Sequence, residues 1–514
     1  MKLTLAGPGS GKTTDLVNQI KSAVSHLKQN KEMAVITYTN ASVDDIKEKL
    51  SDSIVITPNI FIGTIHSFLM HYFIMPHADS LGYNTESVLV VDKLSEECVE
   101  WVDAWVDKKR SEKGRDERKQ IKFRIRQKIY NSAIETAAKK GIYTYDGIIK
   151  IANQLSKKSE IMKSISNRVQ YLFIDEYQDI SIYGHNIVML LEKRKATEIS
   201  VVGDPDQSIY RFRYGQSQIG ERAPAKNKQP IRQLESLKLC EKRKLLVNHR
   251  SSKEIVEFIN RYCTLDKQES EKGKFCKIQF INSCKEAEIK DKFIGLKEQY
   301  NCKSGMIIAK KGATLQEFNK SEIQDLLSNI ERIDLKKLSD FIISSTGLSH
   351  KDFMEQYSLT PYMLSRICVF IRNKMEKEKL TDEIVLRLAK KGYMELYRKR
   401  IVFKNSTTDI NGKTQEFNFA SKFTESYKKD ECLMKYTTIH KAKGLEADCV
   451  LVVAENEKQL FKWLNMTKAD MRNESDEDYR LGYVAFSRAR KILAVAVLEE
   501  IDTSAFNTKI WDIV

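Results

Sequence analysis

Two short runs of residues can do chemistry together. The first is Ala6-Gly7-Pro8-Gly9-Ser10-Gly11-Lys12-Thr13, which follows an apolar stretch and leads through Thr14 into a helical pattern. Glycines let successive backbone N–H groups curl around an anion. Lys12 adds a positive charge suited to the β- and γ-phosphates of a nucleotide, and the Thr13 hydroxyl suits a Mg²⁺ ligand. The run meets the phosphate-loop pattern except that Ala6 stands at its first glycine. A plain glycine turn would not combine strand, loop, Lys-Thr and helix in that order. The second run is Tyr171-Leu172-Phe173-Ile174-Asp175-Glu176-Tyr177-Gln178-Asp179, an apolar stretch ending in acids. Asp175 is placed to hold Mg²⁺ through water, and Glu176 to polarise a water that attacks phosphorus. An ordinary strand end with solvated acids is the bland alternative. Two adjacent carboxylates behind a buried strand, downstream of a phosphate loop, argue against it.

Elements that could position these groups are visible as short β-branched runs alternating with helical stretches. Leu3–Leu5, Met33–Tyr38, Phe61–Ile65, Tyr171–Glu176 and Ile199–Gly203 read as buried parallel strands. A second set follows: Leu245–Val247, Lys277–Ile281, Gly305–Ala309, Tyr436–Ile439, Cys449–Ala454 and Ile492–Leu498. The fold class is α/β, with ligands expected at the C-terminal ends of the strands. Helix-rich charged blocks interrupt both sets. The expected organisation is a first lobe over 1–76 and 146–245 with a helical insertion at 77–145, then a second lobe over 246–320 and 426–514 with a short helical insertion at 321–425.

Composition sets the surroundings. The 514 residues suffice for several cored domains, and no run of 18 or more apolar residues predicts a membrane span. The N-terminus runs straight into the glycine loop and does not read as a signal peptide. Nine dispersed cysteines, none in a C-x-x-C pair, argue against a zinc or iron–sulfur site and fit a reducing cytoplasm. Lys+Arg 86 against Asp+Glu 70 gives a net charge of +16, which suits a polyanionic partner without proving one.

The phosphate loop together with D-E-Y-Q-D resembles the UvrD/Rep/PcrA type of superfamily 1 helicases. That resemblance implies two RecA-like lobes with parallel sheets and an ATP–Mg²⁺ site between them. It implies roles for six further motifs. Val35-Ile36-Thr37-Tyr38-Thr39-Asn40 and Gly63-Thr64-Ile65-His66-Ser67-Phe68 resemble motifs on the nucleic-acid side. They assign Tyr38, Thr39, Asn40, Thr64, His66 and Phe68 to single-stranded DNA. Stacking of a base on such a ring is worth ~1–3 kcal/mol and tolerates any sequence. Taken singly, each aromatic is more often core.

Gly203-Asp204-Pro205-Asp206-Gln207 and the following Tyr210-Arg211-Phe212-Arg213 resemble the motif that links hydrolysis to DNA. Gln207 is implied to sense the γ-phosphate. Tyr210 and Phe212 (where a Trp is usual) are implied to stack on bases, and Arg213 to reach phosphate. Asn248-His249-Arg250-Ser251 resembles the first motif of the second lobe, with His249 in place of the usual Tyr, and gives Arg250 as one arginine reaching the γ-phosphate. His440-Lys441-Ala442-Lys443-Gly444-Leu445-Glu446 matches H-x-x-K-G-L-E. It implies that Gly444 and Glu446 lie at the nucleotide, Glu446 at the ribose, and His440 on the DNA side. Tyr483-Val484-Ala485-Phe486-Ser487-Arg488 matches the last motif and makes Arg488 the second arginine finger. Such fingers act only when the cleft closes, which ties closure to hydrolysis.

The chain also departs from the family pattern. Only five residues precede Ala6, so the upstream Gln that reads adenine has no counterpart, and use of other nucleoside triphosphates is expected. The block at 321–425 is short, which favours translocation over processive unwinding. A basic stretch between Lys108 and Lys128, including Arg110, Arg115, Arg118, Lys122, Arg124 and Arg126, reads equally as a phosphate contact or a solvated helix face. The leading expectation is a cytoplasmic DNA-dependent ATPase moving 3′→5′ on single-stranded or tailed duplex DNA. Truncated relatives occur beside nuclease subunits in antiphage systems such as Gabija, and this chain resembles that subtype. A regulatory subunit that binds nucleotide and DNA ends is the second expectation, and RNA as the track is the third.

Overall fold

Residues 1–51, 53–91, 94, 129–210, 229–237, 240–318, 335–357, 359, 363–364, 366–368, 370–371, 382–397, 434–473 and 476–514 are described by the computed structural model. The first lobe is built on β1 (Lys2–Ala6), β2 (Glu32–Thr37), β3 (Ile60–Thr64), β4 (Val169–Ile174), β5 (Glu198–Gly203) and β6 (Glu241–Leu245). They form one parallel sheet in the order β3-β2-β4-β5-β1-β6. Met33, Ala34, Val35 and Ile36 of β2 are all buried, as expected of a strand covered on both faces. Helix α1 (Lys12–Val24) turns Leu16, Val17 and Ile20 onto this sheet, and α2 (Ile182–Arg194) adds Ile187, Val188 and Leu191.

A short parallel pair follows, β7 (Val247–Asn248) and β8 (Glu269–Ser270), with helix α3 (Lys253–Ile259) between them. The second sheet holds β9 (Ile278–Ile281), β10 (Gly305–Ala309), β11 (Met434–Thr438), β12 (Ala447–Ala454), β13 (Ala489–Val497) and β14 (Trp511–Ile513). It is also parallel, in the order β11-β10-β12-β13-β9-β14. Counted from the first strand of each sheet, the two orders are the same, so the lobes share one topology. Along β12 the side chains alternate. Val450 and Val452 join Phe258, Trp463 and Phe486 on one face, while Leu451 and Val453 join Phe293 and Leu296 on the other. Helices α4 (Lys468–Arg472) and α5 (Asp478–Phe486) lie just before β13.

The chain divides into two compact units. One comprises Met1–Ser87, Val91–Phe318 and Cys432–Val514 and contains both six-stranded sheets. The other comprises Val88–Val90 and Asn319–Glu431. Its helices Leu335–Ser344, His350–Gln356 and Asp382–Tyr397 close on a core of their own that includes Ile342, Phe353, Ile367, Val385 and Tyr393.

Two strand expectations are corrected. The segment expected as a second-lobe strand at Leu245–Val247 divides: Glu241–Leu245 closes the first sheet beside β1, with Leu245 opposite Ala6, and Val247–Asn248 pairs with β8. Glu241, Lys242, Arg243 and Lys244 are exposed, so this edge strand has no apolar alternation for the eye to find. The C-terminal strand β14 went unforeseen because only three residues pair, with Trp511 as the one buried side chain.

Candidate functional site

The phosphate loop joins β1 to α1. Gly9 and Gly11 have φ of +69° and +75°, the left-handed region that glycine enters without penalty. A Cβ at Gly9 would also lie 2.7 Å from the Asn248 Oδ1, so this position needs glycine twice over. Ser10 Oγ donates to the Gly7 carbonyl at 2.8 Å and fixes the curl. Lys12 Nζ donates to the Gly7 and Ala6 carbonyls at 3.1 and 3.3 Å, which parks the ammonium inside its own loop. Thr13 Oγ1 stands 3.5 Å from Asp175 Oδ2, at the outer edge of hydrogen bonding. Thr14 is exposed on the first turn of α1.

Asp175 and Glu176 leave the end of β4 next to that loop. Glu176 has φ of +49°, a left-handed conformation uncommon for a side-chain-bearing residue and of a kind that gathers at functional sites. Its own amide donates to Asp175 Oδ1 at 2.8 Å. Burial, then the neighbouring Glu176 charge, raise the pKa of Asp175. Burial would raise that of Glu176 too. Lys443 and Lys12, then the Gln178 amide and Arg488, outweigh it and hold Glu176 ionised. Their surroundings thus bias the two adjacent carboxylates in opposite directions, Asp175 toward protonation and Glu176 toward ionisation.

Thr13 and Asp175 fit a Mg²⁺ ion that takes its remaining ligands from phosphate and water. Among the described residues no cluster of three or more His, Cys, Asp or Glu side chains is arranged to hold a metal by itself.

The second lobe closes over these groups. Asn248 Nδ2 donates to the Pro8 carbonyl and the His249 amide to the Gly9 carbonyl, both at 2.8 Å. Arg250, next in line, bonds the Glu446 carboxylate and donates from Nη1 to the Ser487 carbonyl at 3.3 Å. Arg488 is 2 % exposed. It donates from Nη2 to Gln207 Oε1 at 3.0 Å and to Ser487 Oγ at 2.8 Å, and from Nε to the Val484 carbonyl at 3.0 Å. Burial and then the Arg250 charge push its pKa down to about 9, so it remains charged at neutral pH. Gln207 Nε2 in turn donates to Asp204 Oδ2 at 2.7 Å, and the Asp204 amide to Gln178 Oε1 at 2.9 Å. Gln178 Nε2 completes the chain to the Glu176 carboxylate. A continuous polar path therefore runs from Arg488 of one lobe to Glu176 of the other.

The residues expected on the nucleic-acid side lie at C-terminal strand ends. Tyr38 follows β2 and stacks on Tyr210, with ring centroids 5.3 Å apart and planes at 19°. Tyr210 donates its hydroxyl to the His440 carbonyl at 2.8 Å, and the His440 ring lies 6.1 Å away. Thr39 and Asn40 are exposed at the start of helix 40–51, where Thr39 Oγ1 accepts from the Ser42 amide. Thr64 caps helix 65–69 by accepting from the Ser67 amide, and His66 packs edge-on to Tyr145 at 4.8 Å.

Phe68 is a correction. It is 2 % exposed, packed against Phe61, Tyr72 and Phe73, and is a core residue with no face for a base. Phe212, Arg213 and the basic stretch from Lys108 to Lys128 lie outside the described residues.

Glu446, expected at a ribose, faces two guanidinium groups, Arg250 and Arg490, the latter at 2.6 Å. Gly444 precedes it with φ of +89°.

Several contributors were not singled out from sequence. Lys443 forms a buried ion pair with Asp179, donates to the Gln207 carbonyl at 2.8 Å and lies 5.1 Å over the Tyr210 ring. Asp206 accepts from the Thr264 amide and hydroxyl at 2.7 and 2.6 Å and from Arg232 at 3.0 Å. Lys443 and Asp179 both stand inside motifs that were recognised, so the signal was present. Thr264 and Arg232 carry no sequence signal of their own.

Comparison with known proteins follows these same segments. The model of the UvrD/REP helicase N-terminal domain matches residues 2–228, and that of the UvrD-like helicase C-terminal domain matches residues 284–500. A putative ATP-dependent DNA helicase, YjcD of Bacillus subtilis, is 28% identical over 41% of this chain and 31% of its own length. The Gabija protein GajB of Bacillus cereus is 28% identical over 41% of this chain and 38% of its own. The ATP-dependent DNA helicase PcrA of Staphylococcus aureus is 21% identical over 96% of this chain and 80% of its own. The chain thus spans less than two fifths of YjcD and GajB, and most of PcrA.

Proposed function

The chain belongs to the UvrD/REP helicase family, and from that membership we propose that it is an ATP-driven motor on single-stranded DNA that hydrolyses ATP at the seam between its two sheets. The observation that carries this reading is the polar path from Arg488 through Gln207 and Gln178 to Glu176. It joins the base that would activate water to the cation that would stabilise the transition state. Lys12, now bonded to the loop carbonyls, turns to the phosphates. Glu176, held ionised by Lys443 and Lys12, orients and deprotonates the attacking water. Thr13 and Asp175 would hold Mg²⁺, which would supply neutralisation of the phosphate oxygens when bound. Arg488 and Arg250 each leave an internal acceptor, Gln207 and Glu446, for the charge spread over the γ-phosphoryl oxygens.

On the DNA side, Tyr38, Tyr210 and His440 make the stacking station, with Thr39, Asn40, Thr64 and His66 beside it at the same strand ends. Gly444 and Glu446 take the ribose side of the nucleotide. The motor runs 3′→5′ in the cytoplasm. The likeness to the Gabija protein GajB supports action beside a nuclease subunit in defence against phage.

Phosphate release with and without single-stranded DNA tests the motor. Turnover stimulated by DNA and abolished in Glu176→Gln supports it. Nucleotide and DNA-end binding with no turnover under any condition would instead make the chain a regulatory subunit. Strand displacement on 3′-tailed against 5′-tailed duplexes, with Lys12→Ala as control, reads the direction. DNA and RNA oligomers competed at one salt concentration read the track.

A further inference from the structure

The segment Asp204–Tyr210 keeps contacts with the first lobe through Gln178, Arg232 and Tyr38, and it also bonds the second lobe at several points. Its Ile209 side chain is fully buried in the second-lobe core with Ile255, Phe258 and Phe486. Thr264 holds Asp206, Lys443 holds the Gln207 carbonyl, and the His440 carbonyl holds the Tyr210 hydroxyl. Two further contacts come from a single element. Arg488, just past the end of α5, bonds the Gln207 side chain, and Arg480, within α5, donates from Nε to the Ser208 carbonyl at 2.8 Å.

Arg480 is 0 % exposed, an extreme for a guanidinium. Its Nη1 donates to the carbonyls of Met471 and Asn473 at 3.2 and 2.9 Å. Those carbonyls close the C-terminal end of α4, where a cation is favoured. One side chain therefore pins α4, α5 and the first-lobe segment together. Arg480 within α5 and Arg488 just past its end thus hold two neighbouring residues, 208 and 207, in addition to the contacts at Asp206, Ile209 and Tyr210. Tyr210, the ring that stacks on Tyr38, follows two residues later.

We propose that Arg480 is a positioning residue that makes the Tyr210 ring follow α5, so that withdrawal of Arg488 from Gln207 toward a nucleotide moves the stacking station as well. The proposal rests on the motor reading above. Arg480 touches neither nucleotide nor DNA in it. Without the bond to Ser208, the finger still reaches phosphate, and the ring follows α5 less closely, held then by Ile209 and the Tyr210 hydroxyl.

The test compares wild type, Arg480→Met and Arg480→Lys for ATP turnover with and without single-stranded DNA, alongside melting temperature. A charge-assisted bond is worth roughly 1.5–3 kcal/mol, so Arg480→Met should lower DNA-stimulated kcat by about tenfold to a hundredfold. DNA-free turnover, KM for ATP and Kd for DNA should keep their wild-type values, and Arg480→Lys should recover part of the stimulation. A merely structural role would lower free and stimulated turnover together, and that result overturns the proposal, as does full stimulation in Arg480→Met. Hydrogen exchange on wild type decides the matter if the variants do not fold. A non-hydrolysable ATP analogue with Mg²⁺ should change protection of 204–210 and 478–488 together, and a change in 478–488 alone overturns the proposal. Absence of DNA stimulation in wild type would count against the motor reading, and the exchange experiment would still judge the coupling.

Discussion

Arg488 and Gln207, 281 residues apart, meet at 3.0 Å, the arginine from the turn between α5 and β13 and the glutamine from the loop after β5. Each satisfies a buried partner that would otherwise be left polar and dry. A guanidinium 2 % exposed is costly to bury, and its hydrogen bonds to Gln207, Ser487 and Val484 are what make the burial tolerable. The bond is therefore a latch between the lobes.

If the cation acts on the transition state, its charge and its forked geometry both matter. Arg488→Lys keeps the charge and loses the fork. Turnover of ATP should fall by ~10³-fold or more, within the class range for arginine fingers, with little change in KM. Phosphate release under saturating DNA measures it. A Lys variant with wild-type kcat would remove Arg488 from the chemistry.

Lys443 and Asp179 form a secluded ion pair at the seam, with side chains 7 % and 0 % exposed. Removing one partner strands the other charge in a dry site, which costs about 3–5 kcal/mol. Lys443→Ala should therefore lower stability far more than the double variant Lys443→Ala/Asp179→Ala, measured by denaturant unfolding. Additive losses would show that the pair is not coupled.

His185 sits on α2 with Nδ1 2.8 Å from the Tyr177 hydroxyl, and burial pushes its pKa down from 6.5 to about 4. Between those values the unfolded chain binds the proton and the folded chain does not. The contribution to stability is thus complete above pH 6.5 and is lost as the pH falls to 4, up to about 3 kcal/mol. Wild type should lose stability relative to His185→Gln on going from pH 7.5 to pH 5. Parallel pH profiles for the two would show that the imidazole does not titrate in this window.

What could be read from sequence was local. A phosphate loop is contiguous, and an apolar run ending in Asp175-Glu176 announces both its strand and its use. Likewise Val450 and Leu451 disclose a doubly covered strand without any partner being known. The rest depends on residues that meet only after folding. Asp206 finds Thr264 across 58 residues and Lys443 finds Asp179 across 264, and neither spacing leaves a trace in the chain. Phe68 shows the reverse failure: its place in a nucleic-acid motif suggested an exposed ring, but an aromatic in helix 65–69 turned toward Tyr72 and Phe73 is core. The edge strand Glu241–Leu245 escapes sequence reading, with only Leu245–Val247 expected as a strand there and in the second set, because charged edge strands lack the alternation that marks buried ones.

Tyr38 and Tyr210 lie face to face at 5.3 Å, a separation that leaves no room between them for a base. A base can enter only by parting the rings, so DNA must replace a contact that already exists. That contact is replaced in kind, because a base offers a π-face of its own, and the net gain belongs to the stack and is indifferent to sequence. Tyr210→Ala should therefore weaken binding of dT and dA oligomers to a similar degree, by ~1–3 kcal/mol, measured by fluorescence anisotropy. The slope of affinity against salt should not change, because no phosphate contact is lost. Lys443 also uses this ring, at 5.1 Å, so the Ala variant removes a cation–π contact along with the stack. Tyr210→Phe separates the effects: it keeps the ring for both and deletes only the hydroxyl that reaches the His440 carbonyl. Affinity close to wild type in Tyr210→Phe, against a clear loss in Tyr210→Ala, would place the ring itself on the DNA. Equal affinity in all three proteins would mean that bases stack elsewhere.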